Sequence, residues 1–436
     1  MSTDHAPICI LGAGLTGLST AFHLGDADYR LFEKESYVGG NCRTEHHQGF
    51  DFDSGGHIFY PKTDYVKELF LDLMGDGYVQ ADRQAWIYSH DTYTRYPFQA
   101  NLYGLPVDVV KDCLLGLHDA HVREAAEPRG EPANFLEFIH RTFGEGIARH
   151  FMLPFNHKHL RFPLDQLTLD WMGKFVPKPT FGQVLDGSLQ PADKCMGQNS
   201  TFMYPKRGGI QAMCEAFRGR LRHAPELKSE ITRVDVKART IEINGETTVS
   251  YDRVLSTLPL PVLVNALTEV PDHIREAADK LLCNRLYVVS VAVDRPVLTE
   301  RHRLYVPSED LVFHKLAFFS AYAPDMAPSG KCAVSAEVGD SPTLPTDRAT
   351  LEERVVTDLR KMGILKPDSP ILFTHVIDMP YAYVVYDRNR SDASHHIRDW
   401  FAEHDIHCWG RYAEWEYQNM EKNILTGQMA ADLLRA

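Results

Sequence analysis

The segment Ile8-Cys9-Ile10-Leu11-Gly12-Ala13-Gly14-Leu15-Thr16-Gly17 decides how this chain folds. Apolar residues run straight into a glycine, the pattern of a buried parallel strand ending at a tight turn. The glycines then keep a GxGxxG spacing. Gly12 allows the turn, Gly14 lets backbone approach a pyrophosphate, and Gly17 lets the next helix lie close to the strand. Helix-compatible sequence continues to Leu24, and Tyr29 to Glu33 reads as a second short strand, so the chain opens with a βαβ unit. The helix N-terminus aims its unpaired N–H groups at the phosphates. Glu33 ends the second strand, where an acid accepts ribose hydroxyls. Together these features describe a dinucleotide site.

At 436 residues the chain is longer than one core usually supports, which predicts two or three packed lobes. With 44% hydrophobic and 24% charged residues the composition is that of an ordinary globular protein. The net charge is −13, with Lys and Arg dispersed along the sequence, which argues against nucleic acid or an anionic membrane as partner. An anionic small ligand needs only a local positive pocket. The eight cysteines stand singly without CxxC spacing, so neither a zinc site nor a disulfide framework is expected. His46-His47 and His395-His396 lack a third ligand at suitable spacing, and no metal is assigned. Met1 to Pro7 is short and polar and no apolar run approaches the roughly 20 residues of a spanning helix, so a cytoplasmic location is expected. A homo-oligomer is compatible with the large second lobe.

Working outward, Ile231 to Ser256 reads as strand, hairpin and strand around an Asn244-Gly245 turn, and Ile424 to Arg435 is helix-like. From Val107 to Gly173 the pattern is helical, with a loop at 127–133. Between Arg285 and Tyr386 it turns to strands, at Leu286 to Val293, Cys332 to Glu337 and Ile371 to Ile377. The fold class predicted is α/β: a Rossmann-type dinucleotide domain from residues 1–75, 199–265 and 395–436, a helical substrate lobe at 107–198, and an antiparallel β-sheet substrate lobe from 76–106 and 266–394.

After Glu33-Lys34-Glu35 come Gly39-Gly40-Asn41-Cys42-Arg43 and then Phe52-Asp53-Ser54-Gly55-Gly56-His57. This resembles the amine-oxidase and protoporphyrinogen-oxidase type of FAD domain, with its GGxxR segment and GGxH-like turn. Asp252 to Pro259 resembles that group's second nucleotide-contacting strand. The cofactor implied is FAD. The resemblance carries FAD contact to Gly12, Gly14, Leu15, Thr16, Gly17, Glu33, Lys34, Gly40, Asn41, Arg43, Gly56, His57, Val234, Arg411, Tyr417, Asn419 and Met420.

The middle of the chain narrows the group. Tyr96-Pro97-Phe98-Gln99-Ala100-Asn101, preceded by Arg83, resembles the YPFQNN segment of UDP-galactopyranose mutases, particularly the eukaryotic type. Pro154-Phe155-Asn156-His157-Lys158, Trp171-Met172-Gly173, Asn199 to Gly209 and Gly410-Arg411-Tyr412 through Trp415-Glu416-Tyr417 extend the likeness over most of the chain. The resemblance implies a flavin-dependent mutase that isomerises the ring of a nucleotide-diphosphate sugar between pyranose and furanose. Reduced FAD is there the nucleophile at the anomeric carbon and there is no net redox change; NAD(P)H is a candidate reductant. It places Tyr96, Gln99, Asn156 and Asn199 along the nucleotide, and Tyr305, Tyr383 and Tyr417 on the diphosphate. His57 and Arg411 flank the flavin, and Arg83 orients the flavin loop; His57, Arg83 and Lys315 are the catalytic candidates.

Departures from the family are equally informative. Two arginines hold the diphosphate there; their positions here are Phe175 and Lys315, and the aromatic near the base is replaced around His159-Leu160. Lysine keeps a cation but loses the bidentate fork. The other reading of the same fold is a redox enzyme, an FAD-dependent oxidase, dehydrogenase or desaturase, which loss of an arginine at Phe175 favours. A non-enzymatic flavin-binding protein is a third. Lys206 and Arg207 either neutralise phosphate or face water.

Overall fold

The computed structural model describes residues 4–127, 129–172, 176–192 and 201–435. Strand Asp4–Leu11 lies inside a six-stranded sheet, parallel to Arg30–Phe32 on one side and to Thr247–Ser256 on the other. Ile8 and Ile10 enter one hydrophobic cluster while Cys9 and Leu11 enter another, so both faces of the strand are covered. That is why the opening run is apolar at every position rather than alternating. Helix Leu15–His23 covers one face and packs against the C-terminal helix Met420–Arg435, joined by Ser19 donating to the Ile424 carbonyl at 2.7 Å. Ile231–Asp235, Thr240–Ile243 and Thr247–Ser256 follow as an antiparallel meander, turning at Asn244 (φ +54°) and Gly245 (φ +73°). Ile406–Cys408 pairs in parallel with the end of Thr247–Ser256. The chain thus leaves this domain and returns to it twice.

Helix Asp272–Asp279 packs with Arg390–Ala402 in the same core, so the dinucleotide domain extends past residue 265 and resumes before 395. Tyr78–Asp82 pairs with Thr201–Pro205 as a separate two-stranded ribbon. The helical lobe is built from Val107–Ala126, Phe135–Ile147, Leu153–Leu160 and Phe181–Leu189. Among the described residues no helix is long and apolar enough to cross a membrane.

The second sheet has seven strands in the order Ile371–Val384, Cys283–Val293, Cys332–Asp340, Lys315–Ala317, Arg303–Tyr305, Ala85–Ser89 and Thr92–Arg95. Its pairings are antiparallel except that between Arg303–Tyr305 and Ala85–Ser89. The period-2 alternation of strands sorts its residues. Leu304, Leu316, Ala336 and Val338 pack in a core with helix Leu351–Lys361. The register then sets Tyr305 beside Lys315, and Lys315 beside Glu337, across neighbouring strands. Lys158 ties the helical lobe to this sheet by donating to the carbonyls of Val306 (3.0 Å) and Ser308 (2.7 Å), and burial lowers its pKa to about 7.

Leu304 is fully buried between Trp86 and Leu316 on its neighbouring strands. Leu304→Ala is expected to lower the stability of the flavin-loaded protein by about 2–5 kcal/mol in urea unfolding, the usual cost of a core cavity.

Candidate active site

The glycine turn has the geometry a pyrophosphate requires. Gly12 adopts φ +97°, and a Cβ on Gly17 would lie 2.1 Å from the Gly12 carbonyl oxygen, so only glycine lets the helix start this close to the strand. The helix is capped by Gly14, with no side chain accepting from its first N–H groups, and a Cβ there would meet nothing within 4 Å. Open space therefore faces uncapped donors at a helix N-terminus, the arrangement that binds phosphate. Leu15 is buried and Thr16 donates to Asn423 at 2.7 Å. Gly39 and Gly40 bring a second backbone turn against the first, with the Gly39 N–H donating to the Ala13 carbonyl at 2.8 Å. Glu33 accepts from the Ala13 and Glu35 N–H groups (2.8 and 3.0 Å), and burial raises its pKa. These residues fit the ADP half of FAD.

Other residues carried over from the resemblance sit differently. The Lys34 ammonium is exposed and lies 3.7 Å from Glu35. Arg43 donates to Glu45 (3.3 Å) and to the Asp378 carbonyl (3.1 Å). Asn41 donates to the Tyr381 carbonyl (2.9 Å) and the Tyr412 hydroxyl (2.7 Å). Val234 is buried, its N–H given to Ala266 and its carbonyl accepting from Thr268. The backbone beside Glu33 belongs instead to residues 226–229, where Glu226 and Ser229 bond to it. Asn419 accepts from the Lys422 N–H at 2.8 Å, and Met420 begins the C-terminal helix. Asn156 is buried and donates to Met152 of its own helix at 2.6 Å, and Gln99 is buried and donates to the Pro177 carbonyl at 3.1 Å. Asn199 and Phe175 lie outside the described residues. Lys206 and Arg207 face outward, the first on the Asp76 carbonyl and the second on Asp325.

A cluster of buried polar groups stands where the sheet lobe meets the Gly55-Gly56-His57 loop. Glu337 accepts from the Gly56 N–H at 2.8 Å, and its other oxygen lies 3.5 Å from Lys315 Nζ and 3.6 Å from His314 Nε2. Arg303 donates to the Gly56 carbonyl, and a Cβ on Gly56 would lie 2.5 Å from that guanidinium. Burial opposes ionisation of Glu337, yet Lys315 and Arg303 hold its carboxyl down to about 2. Lys315 donates to the Tyr383 hydroxyl at 3.2 Å. Burial works against its charge, but Tyr383 and Glu337 outweigh that and raise its pKa. Arg83 donates to Tyr305 at 2.7 Å and lies over the ring of Tyr96, which stacks on Tyr305 at 4.7 Å. Burial would raise the Tyr305 pKa; Arg83, Arg303 and Lys315 bring it to about 8. Arg411 donates to the Gln418 and Ala382 carbonyls and lies 4.8 Å from the Tyr417 ring. His57 is kept neutral, burial lowering its pKa to about 4, and its Nδ1 is buried without a partner among the described residues.

The sequence-expected residues His57, Arg83, Tyr96, Tyr305, Lys315, Tyr383, Arg411 and Tyr417 thus share one neighbourhood. Glu337, Arg303 and His314 belong to it and are absent from the sequence expectation; His159, which the sequence marks only as a place where the base-side aromatic is replaced, belongs to it as well. Glu337 carries a readable signal, an acid within the otherwise apolar and small strand sequence Cys332-Ala-Val-Ser-Ala-Glu-Val. Arg303 lies two residues from Tyr305 and so shares its face.

Gly17→Ala is expected to yield protein with at most a few per cent of bound FAD, read from the ratio of flavin to protein absorbance. Glu337→Gln leaves Lys315 and Arg303 without their counter-charge and is expected to cost about 3–5 kcal/mol at pH 7, as breaking a buried pair does. The folded carboxyl titrates near 2 against about 4.5 in the unfolded chain. Between those values the unfolded state binds more protons, so the contribution is complete above about pH 4.5 and fades towards pH 2. The difference between wild type and E337Q in urea unfolding should therefore shrink as pH falls through that window.

The family profile of flavin containing amine oxidoreductases matches residues 15–434. The structure superposes on reduced UDP-galactopyranose mutase with a TM-score of 0.93 and 27% identity, over 98% of this chain and 93% of that one. A putative protoporphyrinogen oxidase from Exiguobacterium sp. 255-15 shares the fold at a TM-score of 0.74 and 16% identity, over 99% of both chains. Among curated proteins, coproporphyrinogen III oxidase of Staphylococcus aureus is 21% identical over 98% of both sequences. With a profile match over nearly its whole length, the chain belongs to the flavin containing amine oxidoreductase family.

Proposed function

We propose that this enzyme is a flavin-dependent mutase that isomerises the sugar ring of a nucleotide-diphosphate sugar. The observation that carries the reading is the charge of the buried cluster: Lys315 and Arg303 flank Glu337, Arg83 binds the Tyr305 hydroxyl, and Arg411 stands near the rings of Tyr383 and Tyr417. A buried excess of cation lined with hydroxyl donors is matched by a diphosphate, and it repels a cationic amine. The likeness to reduced UDP-galactopyranose mutase supports the same reading.

Gly12, Gly14, Gly17 and Glu33 would hold the ADP half of FAD, and His57 and Arg411 would border its ring. Bound and reduced, FAD supplies a nucleophilic nitrogen for the anomeric carbon. The chain's own residues bind and orient. Lys315 and the Tyr305 and Tyr383 hydroxyls hold the diphosphate as it leaves the sugar and keep it in reach for its return. Glu337 fixes Lys315 while tying the Gly56 backbone to the same strand. Tyr96, stacked on Tyr305, closes the nucleotide side and excludes water. His57, neutral, adds no charge beside the ring.

The alternative, net redox chemistry, is favoured by the full-length relative named as a coproporphyrinogen oxidase. The two are separated by reducing the protein with dithionite under nitrogen and offering a panel of nucleotide-diphosphate sugars. Isomer formed over many turnovers without further use of reductant is expected. Turnover by the unreduced protein in air that consumes oxygen and gives a product oxidised by two electrons would replace the mutase reading.

A further inference from the structure

An aromatic column runs through the helical lobe to the buried cluster around Lys315 and Tyr383. Phe98 stacks on Phe151 (ring centroids 5.0 Å), Phe151 on Phe155 (5.1 Å) and Phe155 on His159 (5.6 Å). The positions 151, 155 and 159 follow one helical face. His159 ends the column with its imidazole centroid 4.4 Å from that of the Tyr383 ring, whose hydroxyl Lys315 engages. Asn284 holds the carbonyls of His159 and Leu160 (3.2 and 3.0 Å), which pins the end of the helix.

The proton position on His159 is fixed by what lies behind it. Its Nδ1 is 3.1 Å from Nε2 of the fully buried His314, and that same Nε2 is 3.6 Å from Glu337. A proton on His314 Nε2 faces both His159 Nδ1 and the carboxylate. The opposite arrangement would turn the His314 Nε2 lone pair towards the carboxylate and put its proton on Nδ1, which is buried without a partner among the described residues. An unpaired buried donor is costly, so the first arrangement holds. His159 then carries its own proton on Nε2, and the only hydrogen bond its ring makes among the described residues is through Nδ1.

We propose that His159 is a specificity-determining residue that donates its Nε2–H to a phosphate oxygen of the ligand, beside Lys315 and Tyr383. This rests on the diphosphate reading given above. The donor is neutral, since burial, then Lys315 and His314, lower its pKa well below the usual histidine value. It therefore adds direction to a site whose charge Lys315 already supplies, and a lysine ammonium alone is a point charge without a fixed bonding plane.

Titration calorimetry of the FAD-loaded protein with inorganic pyrophosphate, UDP and uridine tests this. His159→Phe keeps the stacked ring and removes the donor, and is expected to weaken pyrophosphate and UDP by about 10- to 100-fold, the usual loss of a hydrogen bond to a charged group. Uridine, which lacks the diphosphate, should be unaffected. His159→Asn keeps an N–H donor and should stay within about threefold of wild type. His159→Leu replaces the phenylalanine variant if that one does not retain flavin. Unchanged pyrophosphate binding in the donor-less variant, or equal weakening of UDP and uridine, overturns the role of His159 alone. Failure of the wild type to bind either pyrophosphate or UDP overturns the diphosphate reading and this inference with it.

Discussion

The Glu337 carboxylate is the constraint around which the cleft is arranged. It is 4% exposed, and it binds the Gly56 N–H of one domain while lying beside Lys315 and His314 of another. Taking a carboxylate out of water costs several kcal/mol, and buried ion pairs often do no better than apolar residues of the same size. Glu337 is therefore poorly explained as a stabilising feature. What it does provide is position: a charged group that fixes the Gly55-Gly56-His57 loop and the Lys315 ammonium relative to each other. The register of the second sheet makes this possible, because Tyr305, Lys315 and Glu337 fall side by side on adjacent strands.

Charge is distributed unevenly over the molecule. The chain carries −13 overall, yet its cleft concentrates arginine and lysine. Most of those cations are held by neutral oxygens: Arg83 by the Tyr305 hydroxyl, Arg411 by backbone carbonyls, Lys315 in part by Tyr383. A neutral oxygen orients a cation without cancelling its charge, and low surrounding polarity strengthens the pull of Arg411 on an anion. The negative net charge of the whole chain limits non-specific binding of other polyanions.

The parts of the fold legible in the sequence are those where one short segment carries its own physical reason. Residues 8–17 could be read because a doubly covered strand must be apolar throughout and a turn at φ +97° must be glycine. The Asn244-Gly245 turn was readable for the same reason. The ribbon between Tyr78–Asp82 and Thr201–Pro205 was not, since its strands are distant in sequence and neither has a decisive pattern. In the site, tyrosines and arginines within recognisable segments could be placed, whereas Glu337 and His314 depend on strand register, and register is set by partners far along the chain. Val234 and Asn156 were expected at the ligands from the resemblance alone. Their residue types suit a ligand contact, but their polar groups are already engaged by Ala266 and Thr268 and by Met152.

In the proposed diphosphate reading, the position of His159 also bears on how a lysine serves at 315. An arginine fork fixes the plane of a bound phosphate by itself, while a lysine leaves rotation free. Here the ammonium is constrained from two sides, by Glu337 at 3.5 Å and Tyr383 at 3.2 Å, and the Tyr383 ring is held in turn by His159 at the end of the Phe98–Phe151–Phe155 column. Direction that a guanidinium would carry within one side chain is thus spread over several packed groups. The Tyr96-Pro97-Phe98-Gln99 segment then serves the cleft twice: Tyr96 stacks on Tyr305 at its wall, and Phe98 anchors the column that sets His159.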